Sequence, residues 1–285
     1  MKEKNKKILL NFIVILVVAV FVLLPLFREK GELQYDIVFL GDSVIGNEGE
    51  ISVVQMVGEE LGVPVFNGAF GGSSMAVDGN REWGSLTANQ RCMAGMADSI
   101  AYGDWQSQQP AMAYAEHYKE YGLYVPDYFG DRMDVLTQID FSRVKILVIE
   151  HGTNDYNSGR KLDNPEDLYD VTTFGGALRH SLRVLQKAYP DMKIVLVTPI
   201  YCEFGVNLEQ ACYNTDFGGG TLKEYVELEQ EIAAEFGVYC INAYQNSGIT
   251  EENSRECLID GVHLTEKGAL LLGEYLAKEL KEICK

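Results

Sequence analysis

The sequence predicts an α/β fold in which a central parallel sheet carries helices on both faces, in three layers. The first observation is that apolar runs of strand length alternate with amphipathic helical patterns along the chain. The second is that these runs are apolar throughout, as strands covered on both faces require. Such alternation packs as a parallel sheet between two helical layers. The 285 residues are enough for one sizeable domain with a buried core.

The amino-terminal segment differs from the rest of the chain. Four lysines precede an apolar run, Ile8–Phe27, and about 20 helical residues suffice to cross a bilayer. No Ala-x-Ala cleavage pattern follows, and basic residues before a span favour a cytoplasmic amino terminus. We therefore expect 1–30 to be an uncleaved transmembrane anchor with the start of a linker, and 31–285 to be an extracytoplasmic globular domain. Cleavage of the segment as a signal peptide, followed by secretion of the domain, is the alternative.

The composition limits the classes of partner and cofactor that the protein is expected to bind. With 42 acidic and 24 basic residues, the net charge of −18 argues against nucleic acid as a partner. Six cysteines fit a location outside the cytoplasm, and the pairings Cys202–Cys212 and Cys240–Cys257 would each close a short loop. No cysteine cluster has the spacing of a zinc site, so we expect neither a metal ion nor another cofactor. The sequence leaves the oligomeric state open.

The first half of the domain begins with an apolar strand, Tyr35–Leu40, that ends in Gly-Asp-Ser. A helix is predicted over Glu50–Leu61 and a short strand over Val63–Phe66. The segment 76–141 is less regular and rich in aromatic residues. It is either an extra helical layer with its own aromatic core or a cap that lines a substrate cleft. Its aromatic residues include Trp83, Trp105, Tyr102, Tyr114, Tyr118, Tyr121, Tyr124 and Tyr128.

The second half continues the same alternation. Val144–Glu150 is a continuous apolar strand. Asn164, followed by proline and two acids, is typical of a helix start, and apolar residues at helical spacing extend that helix towards Tyr189. Strands are then predicted over 193–198 and 238–242, and helices over 221–236 and 265–283.

Polar and glycine-containing motifs follow these strands, where ligands bind in α/β folds. An aspartate three residues before a histidine can hold one imidazole nitrogen while the other nitrogen faces a serine. A serine needs such a base, and donors for the developing oxyanion, to act as a nucleophile. The motifs are Gly41-Asp42-Ser43, the turn from Asn67 to Gly72, Gly152-Thr153-Asn154-Asp155, and Asp260-Gly261-Val262-His263.

Together, in this order, the four motifs resemble the four blocks of the SGNH/GDSL hydrolase family. The resemblance spans about Asp36 to the carboxyl terminus. It implies a flavodoxin-like three-layer α/β/α fold and the hydrolysis of esters through an acyl-serine intermediate. Carried over by position, it makes Ser43 the nucleophile, His263 the general base and Asp260 the orienting partner of that base.

The same resemblance implies an oxyanion hole formed by the backbone N–H groups of Ser43 and Gly72 and the side-chain amide of Asn154. Ala69 stands where the family usually has a glycine, which leaves Gly71 as an alternative to Gly72. The first motif also reads Gly-Asp-Ser-Val-Ile-Gly rather than the commoner Gly-Asp-Ser-Leu/Ile-Thr/Ser.

The neighbouring polar residues have simpler interpretations. Asp42 is expected to make local backbone hydrogen bonds, and Asp155 to cap or hydrogen-bond the turn that follows it. His117 and His180 lie in predicted helices and are expected to be surface or packing residues. His151 is next to the Asn154 motif and either contacts substrate or has a structural role.

The substrate is inferred from location alone. A cell-surface enzyme of this kind would hydrolyse acylated carbohydrate, with short-chain O-acetyl esters as the expected substrate. Acyl esters of lipids or lysophospholipids are the near alternative, and transfer of the acyl group to a sugar hydroxyl is a second function. A binding module that keeps the fold without catalysis is the third alternative.

Overall fold

The structure is a computed structural model that describes residues 33–47, 49–79, 89–109, 127–203 and 215–285. The predicted span Ile8–Phe27 lies outside these ranges. Within them, no helix combines the length and the apolar character that a bilayer crossing demands.

Five parallel strands form the sheet of the described domain. Their order is β2-β1-β3-β4-β5, the order of the flavodoxin-like folds, and it confirms the predicted parallel sheet. The central strands β1 and β3 end level with each other, since Gly41 pairs with Glu150. The loops that follow these two strands therefore leave the sheet side by side. The strands are β1 Ile37–Gly41, β2 Val65–Asn67, β3 Ile146–Glu150, β4 Lys193–Val197 and β5 Tyr239–Ile241.

Helices connect and cover the strands. The described α-helices with their bounds are α1 Ser43–Gly46, α2 Val53–Leu61, α3 Met93–Tyr102, α4 Phe129–Gln138, α5 Thr153–Asn157, α6 Phe174–Ala188, α7 Leu222–Phe236, α8 Ala243–Asn246, α9 Ser254–Cys257 and α10 Glu266–Ile283. Several begin at side-chain caps: the α7 start, for example, has a capping box in which Thr221 and Glu224 bond each other's backbone N–H groups.

The core is divided by the sheet into two clusters. On β1, Val38 and Leu40 belong to one cluster and Ile37 and Phe39 to the other, as the alternation of strand side chains dictates. The first cluster includes buried residues of α3, α4, α6 and α7, and the second those of α2 and α10. Two helical layers therefore enclose the sheet, as predicted.

The helix predicted from Asn164 starts later than expected, with Thr173 as the N-cap of α6. The Asn164 side chain instead accepts the N–H of Glu166, and Asp167 and Asp170 accept N–H groups two residues ahead in the same way. These side-chain oxygens accept N–H groups that backbone carbonyls would accept in a helix, and the segment forms a series of turns instead. The prediction of a helix start at Asn164 was therefore wrong.

The aromatic segment 76–141 contributes α3 and α4 to the described structure. Met96, Ile100 and Phe129 are buried in the first core cluster, so both helices join the main core instead of forming a separate one. Tyr102, by contrast, is 67% exposed. Trp83 and the tyrosines at 114, 118, 121 and 124 lie outside the described residues.

The candidate pairing of Cys240 with Cys257 is not formed. Both are free thiols, and they belong to opposite faces of the sheet, Cys240 beside the first core cluster and Cys257 in the second. The other candidate pairing includes Cys212, which lies outside the described residues.

Candidate active site

Ser43 stands directly beyond the carboxyl end of β1. Strand β1 ends at Gly41, and the Asp42 side chain then caps α1 by accepting the Val44 N–H at 2.8 Å. The prediction of a local backbone bond for Asp42 is confirmed. As the first residue of a helix, Ser43 has an N–H with no acceptor inside that helix. Ser43 is 8% exposed. It lies at the carboxyl end of an inner strand of the sheet.

Ser43, His263 and Asp260 form one hydrogen-bonded line. The His263 Nε2 lies 2.9 Å from Ser43 Oγ, and its Nδ1 lies 2.7 Å from Asp260 Oδ2. The other Asp260 oxygen accepts the backbone N–H groups of Val262 and His263 at 3.1 and 2.9 Å. Partial burial acts to raise the pKa of Asp260, but the hydrogen bonds from the His263 backbone and ring hold it below its usual value. Asp260 therefore stays ionised beside the imidazole.

The loop that carries this histidine is fastened to the segment after β4. The Glu203 N–H donates to Gly261 O at 2.7 Å, and the Ile259 N–H donates to His263 O at 2.7 Å. Gly261 has a φ of +88°, and a Cβ there would stand 2.2 Å from Glu203 O. Buried Glu203 accepts the hydroxyls of Tyr201 and Ser254 through Oε1. Only glycine fits at position 261, so the close approach of these two segments fixes where His263 lies.

The turn after β2 distinguishes Gly72 from Gly71. The Gly71 N–H donates to the Tyr128 hydroxyl at 3.0 Å, and that hydroxyl donates to Asn47 Oδ1 at 2.9 Å. Gly71 is buried, whereas Gly72 is partly accessible and has a φ of +69°. In the described part of the chain, the Gly72 N–H therefore remains available to a ligand where the Gly71 N–H is already bonded. Tyr128 also shows that the aromatic segment 76–141 reaches this turn.

The loop after β3 holds the same turn from the other side. Asn154 Nδ2 donates to Ser73 O at 2.8 Å, and its second hydrogen is left for another acceptor. The carboxylate of Asp155 accepts the N–H groups of Met75 at 2.7 Å and Ala76 at 3.0 Å. The expectation that Asp155 hydrogen-bonds the turn after it is confirmed for its backbone, because its carbonyl oxygen accepts an N–H and a hydroxyl of that turn at 2.9 and 3.1 Å. Its side chain, by contrast, has partners about 80 residues earlier in the chain. Burial raises the pKa of Asp155 to about 6.

His151 is enclosed between these loops. Its Nε2 lies 3.1 Å from Ser73 Oγ, the residue is 2% exposed, and burial lowers its pKa to about 3. Of its two interpretations, this burial favours the structural role over contact with substrate. His180 bonds Asp98 at 2.9 Å as a packing residue would, and His117 lies outside the described residues.

Two further carboxyl groups lie buried behind the nucleophile. Burial raises the pKa of Asp42 to about 7 and that of Glu150 well above its usual value, and the Asp42 carboxyl raises the pKa of Glu150 further. The Asp42 N–H lies 3.5 Å from Glu150 Oε2. Burial thus favours the protonated, neutral form of Glu150. Sequence reasoning missed it, although an acid at the end of an apolar strand is itself a signal.

The described residues include no group of three or more His, Cys, Asp or Glu side chains placed to hold a metal ion. A serine hydrogen-bonded to a histidine, itself held by a carboxylate, defines the serine hydrolase class of site.

Comparisons with known proteins identify the family. Residues 98–271 match the model of the GDSL-like lipase/acylhydrolase family, which is more than half of the chain. The protein belongs to this family and is a carboxylic ester hydrolase of the SGNH/GDSL type, as the four motifs predicted. The matched range contains Asn154, Asp260 and His263 but begins after Ser43 and Gly72.

Solved structures share the fold at low sequence identity. A protein from Lactobacillus plantarum has a TM-score of 0.59 and 19% identity over 88% of this chain and 99% of that one. A possible lipase from Chitinophaga pinensis has a TM-score of 0.54 and 16% identity, over 88% and 99%. Est24, a carbohydrate acetylesterase from Sinorhizobium meliloti, has a TM-score of 0.51 and 14% identity, over 88% and 100%. No curated protein sequence matches the chain.

Proposed function

We propose that the protein is a membrane-tethered, extracytoplasmic serine esterase that removes short acyl groups, chiefly O-acetyl, from carbohydrate. The observation that carries the catalytic part is the line of hydrogen bonds from Ser43 through His263 to Asp260. It lies at the sheet edge where the loops after β1 and β3 meet, which is the ligand-binding edge of an α/β fold.

The chemistry follows from the geometry. Ser43 Oγ attacks the ester carbonyl while its proton passes to His263 Nε2, and Asp260 stabilises the imidazolium that forms. The proton then passes to the departing alcohol oxygen as the ester C–O bond breaks, leaving an acyl-serine. Water, deprotonated by His263, attacks this intermediate and releases the acid and free Ser43.

The negative oxygen of each tetrahedral intermediate needs preorganised donors. The Ser43 N–H at the start of α1, the Gly72 N–H and the free hydrogen of the Asn154 amide supply them in this proposal. Support for Gly72 over Gly71 comes from the Tyr128 hydroxyl, which occupies the Gly71 N–H.

The substrate and the location are inferred from the amino-terminal segment and from a neighbour in fold. The anchor 1–30 and the extracytoplasmic domain 31–285 are inferred from the lysines and the apolar run Ile8–Phe27. A cell-surface location makes acylated carbohydrate the available ester, and a carbohydrate acetylesterase shares the fold. Lipid esters and acyl transfer to a sugar hydroxyl are the competing outcomes of the test.

The test compares the full chain in detergent with its Ser43→Ala variant on p-nitrophenyl esters of increasing acyl length. Ser142→Ala, at an exposed serine, is the matched control. We expect wild type and control to be active, with a preference for acetate, and Ser43→Ala to be inactive although folded. Equal activity in all three would disprove the role of Ser43. A preference for long acyl chains would favour a lipase, and product that depends on an added sugar acceptor would favour a transferase.

A further inference from the structure

Ser73 is the point at which the two oxyanion loops join. Its N–H donates to Phe70 O at 3.0 Å, which closes the turn containing Gly72. Its carbonyl accepts the Asn154 amide at 2.8 Å. Ser73 thus follows Gly72, one donor of the proposed oxyanion hole, in the chain, and it is hydrogen-bonded to Asn154, another donor. A small displacement of Ser73 would move both donors.

The Ser73 side chain fixes the direction of its bond to His151. Ser73 Oγ lies 2.5 Å from the carbonyl oxygen of Arg91, which can only accept, so the hydroxyl hydrogen goes to Arg91. Ser73 Oγ must then accept from His151 Nε2 at 3.1 Å. The network therefore assigns the hydrogen of the neutral imidazole to Nε2 and leaves Nδ1 bare.

We propose that His151 is a positioning residue of the oxyanion hole: its Nε2–H bond holds Ser73 so that Gly72 and Asn154 face the same substrate oxygen. His151 is 2% exposed and Ser73 fully buried, so neither contacts the substrate. The inference rests on the proposed function, because it assumes that the Gly72 N–H and the Asn154 amide bind the oxyanion.

The length of the side chain at position 151 tests this role. In His151→Gln the amide nitrogen replaces Nε2 and can donate to Ser73 Oγ, whereas the shorter side chain in His151→Asn keeps the amide but cannot reach. We expect kcat within about threefold of wild type for Gln and a loss of about 10- to 100-fold for Asn, since misplacement by about 1 Å is that costly. KM should change little in either variant. His180→Gln, at a histidine that bonds Asp98, is the control.

The pH dependence separates positioning from proton transfer. A buried neutral histidine that only donates a fixed hydrogen should leave the acid limb of the kcat profile unchanged in His151→Gln. A shift of that limb would show that His151 takes part in proton transfer and would overturn the proposal. Equal kcat in the Asn and Gln variants would also overturn it. If His151→Asn does not fold, Ser73→Ala removes the same bond and should show the same loss of kcat.

A double substitution separates this inference from the proposed function. In an Asn154→Ala background, His151→Asn should cost less than in the wild type, because one of the two positioned donors is already missing. The same fold-loss in both backgrounds would point to a general structural defect and would contradict the proposal. If Asn154→Ala lowers kcat but His151→Asn does not, only the positioning role fails. If Asn154→Ala leaves kcat unchanged, the proposed oxyanion hole fails, and the inference with it.

Discussion

Replacing Asp155 by asparagine tests the connection between the two loops of the site. The two carboxylate oxygens of Asp155 accept two different buried N–H groups, from Met75 and Ala76. Asparagine has one acceptor oxygen, so one of these N–H groups would face the amide NH₂ instead. An unsatisfied buried donor costs about 1–3 kcal/mol, and we expect Asp155→Asn to be destabilised on that scale.

The size of this effect should depend on pH. Burial raises the Asp155 pKa from 3.8 to about 6, which at about 1.4 kcal/mol per pKa unit is a difference of about 3 kcal/mol. A raised carboxyl pKa means that the folded state binds the proton more tightly. The associated stability is complete below the unfolded-state pKa and is lost as the pH rises through the folded-state pKa. Asparagine does not titrate, so only the wild type loses this stability as the pH rises. The difference in the free energy of unfolding between wild type and Asp155→Asn should therefore shrink by about 1.4 kcal/mol between about pH 5 and about pH 8.

Urea unfolding of wild type and Asp155→Asn at the two pH values measures this difference directly. Folded His151 stays neutral in this range, because burial lowers its pKa to about 3. Asp42 titrates in this range in both proteins, and the part of its pKa shift that comes from the Asp155 charge disappears in Asp155→Asn, which acts in the same direction as the expected change. A difference between the two proteins that stays constant with pH, or that grows towards about pH 8, would refute the reasoning that burial raises the Asp155 pKa.

Three further substitutions test other parts of the site. Asn154→Ala should lower kcat on p-nitrophenyl acetate by about 10²- to 10³-fold with little change in KM, and an unchanged kcat would remove Asn154 from the oxyanion hole. Gly261→Ala should lower both the Tm and the activity, because its Cβ would stand 2.2 Å from Glu203 O, whereas Gly130→Ala, with open space around it, should melt like the wild type. Glu150→Gln should keep the fold and most of the activity near neutral pH, because burial favours the neutral form of that carboxyl. A loss of more than about tenfold would show that the acid proton itself is required.

Local sequence patterns predicted the sheet and the position of the motifs well. The strand before Ser43 and the strand before His151 are apolar runs. The motif residues follow each strand directly in the sequence, so they can be placed at its carboxyl end. The Asp260–His263 contact is equally local, since it joins residues three apart in one turn. Such short-range signals need no knowledge of the tertiary packing.

The errors arose where distant or competing contacts decide the structure. The Asp155 carboxylate has its partners about 80 residues away, and no pattern in its neighbourhood indicates them. At Asn164, side chains that bond nearby backbone N–H groups compete with a helix and prevail, although the composition favours a helix start. Cys240 and Cys257 are close in sequence but face opposite sides of the sheet, which only the register of β5 reveals.

The bond between Ser43 and His263 joins residues 220 positions apart. Ser43 leaves the ribosome early, whereas its histidine follows β5 and immediately precedes the last helix. During synthesis, the nucleophile emerges 220 residues before the base, and hydrolysis must wait until His263 has emerged and packed against it. Catalytic activity is thus a reporter of folding from β1 through His263, and nascent chains that stop before His263 should be inert towards the esters of their own compartment.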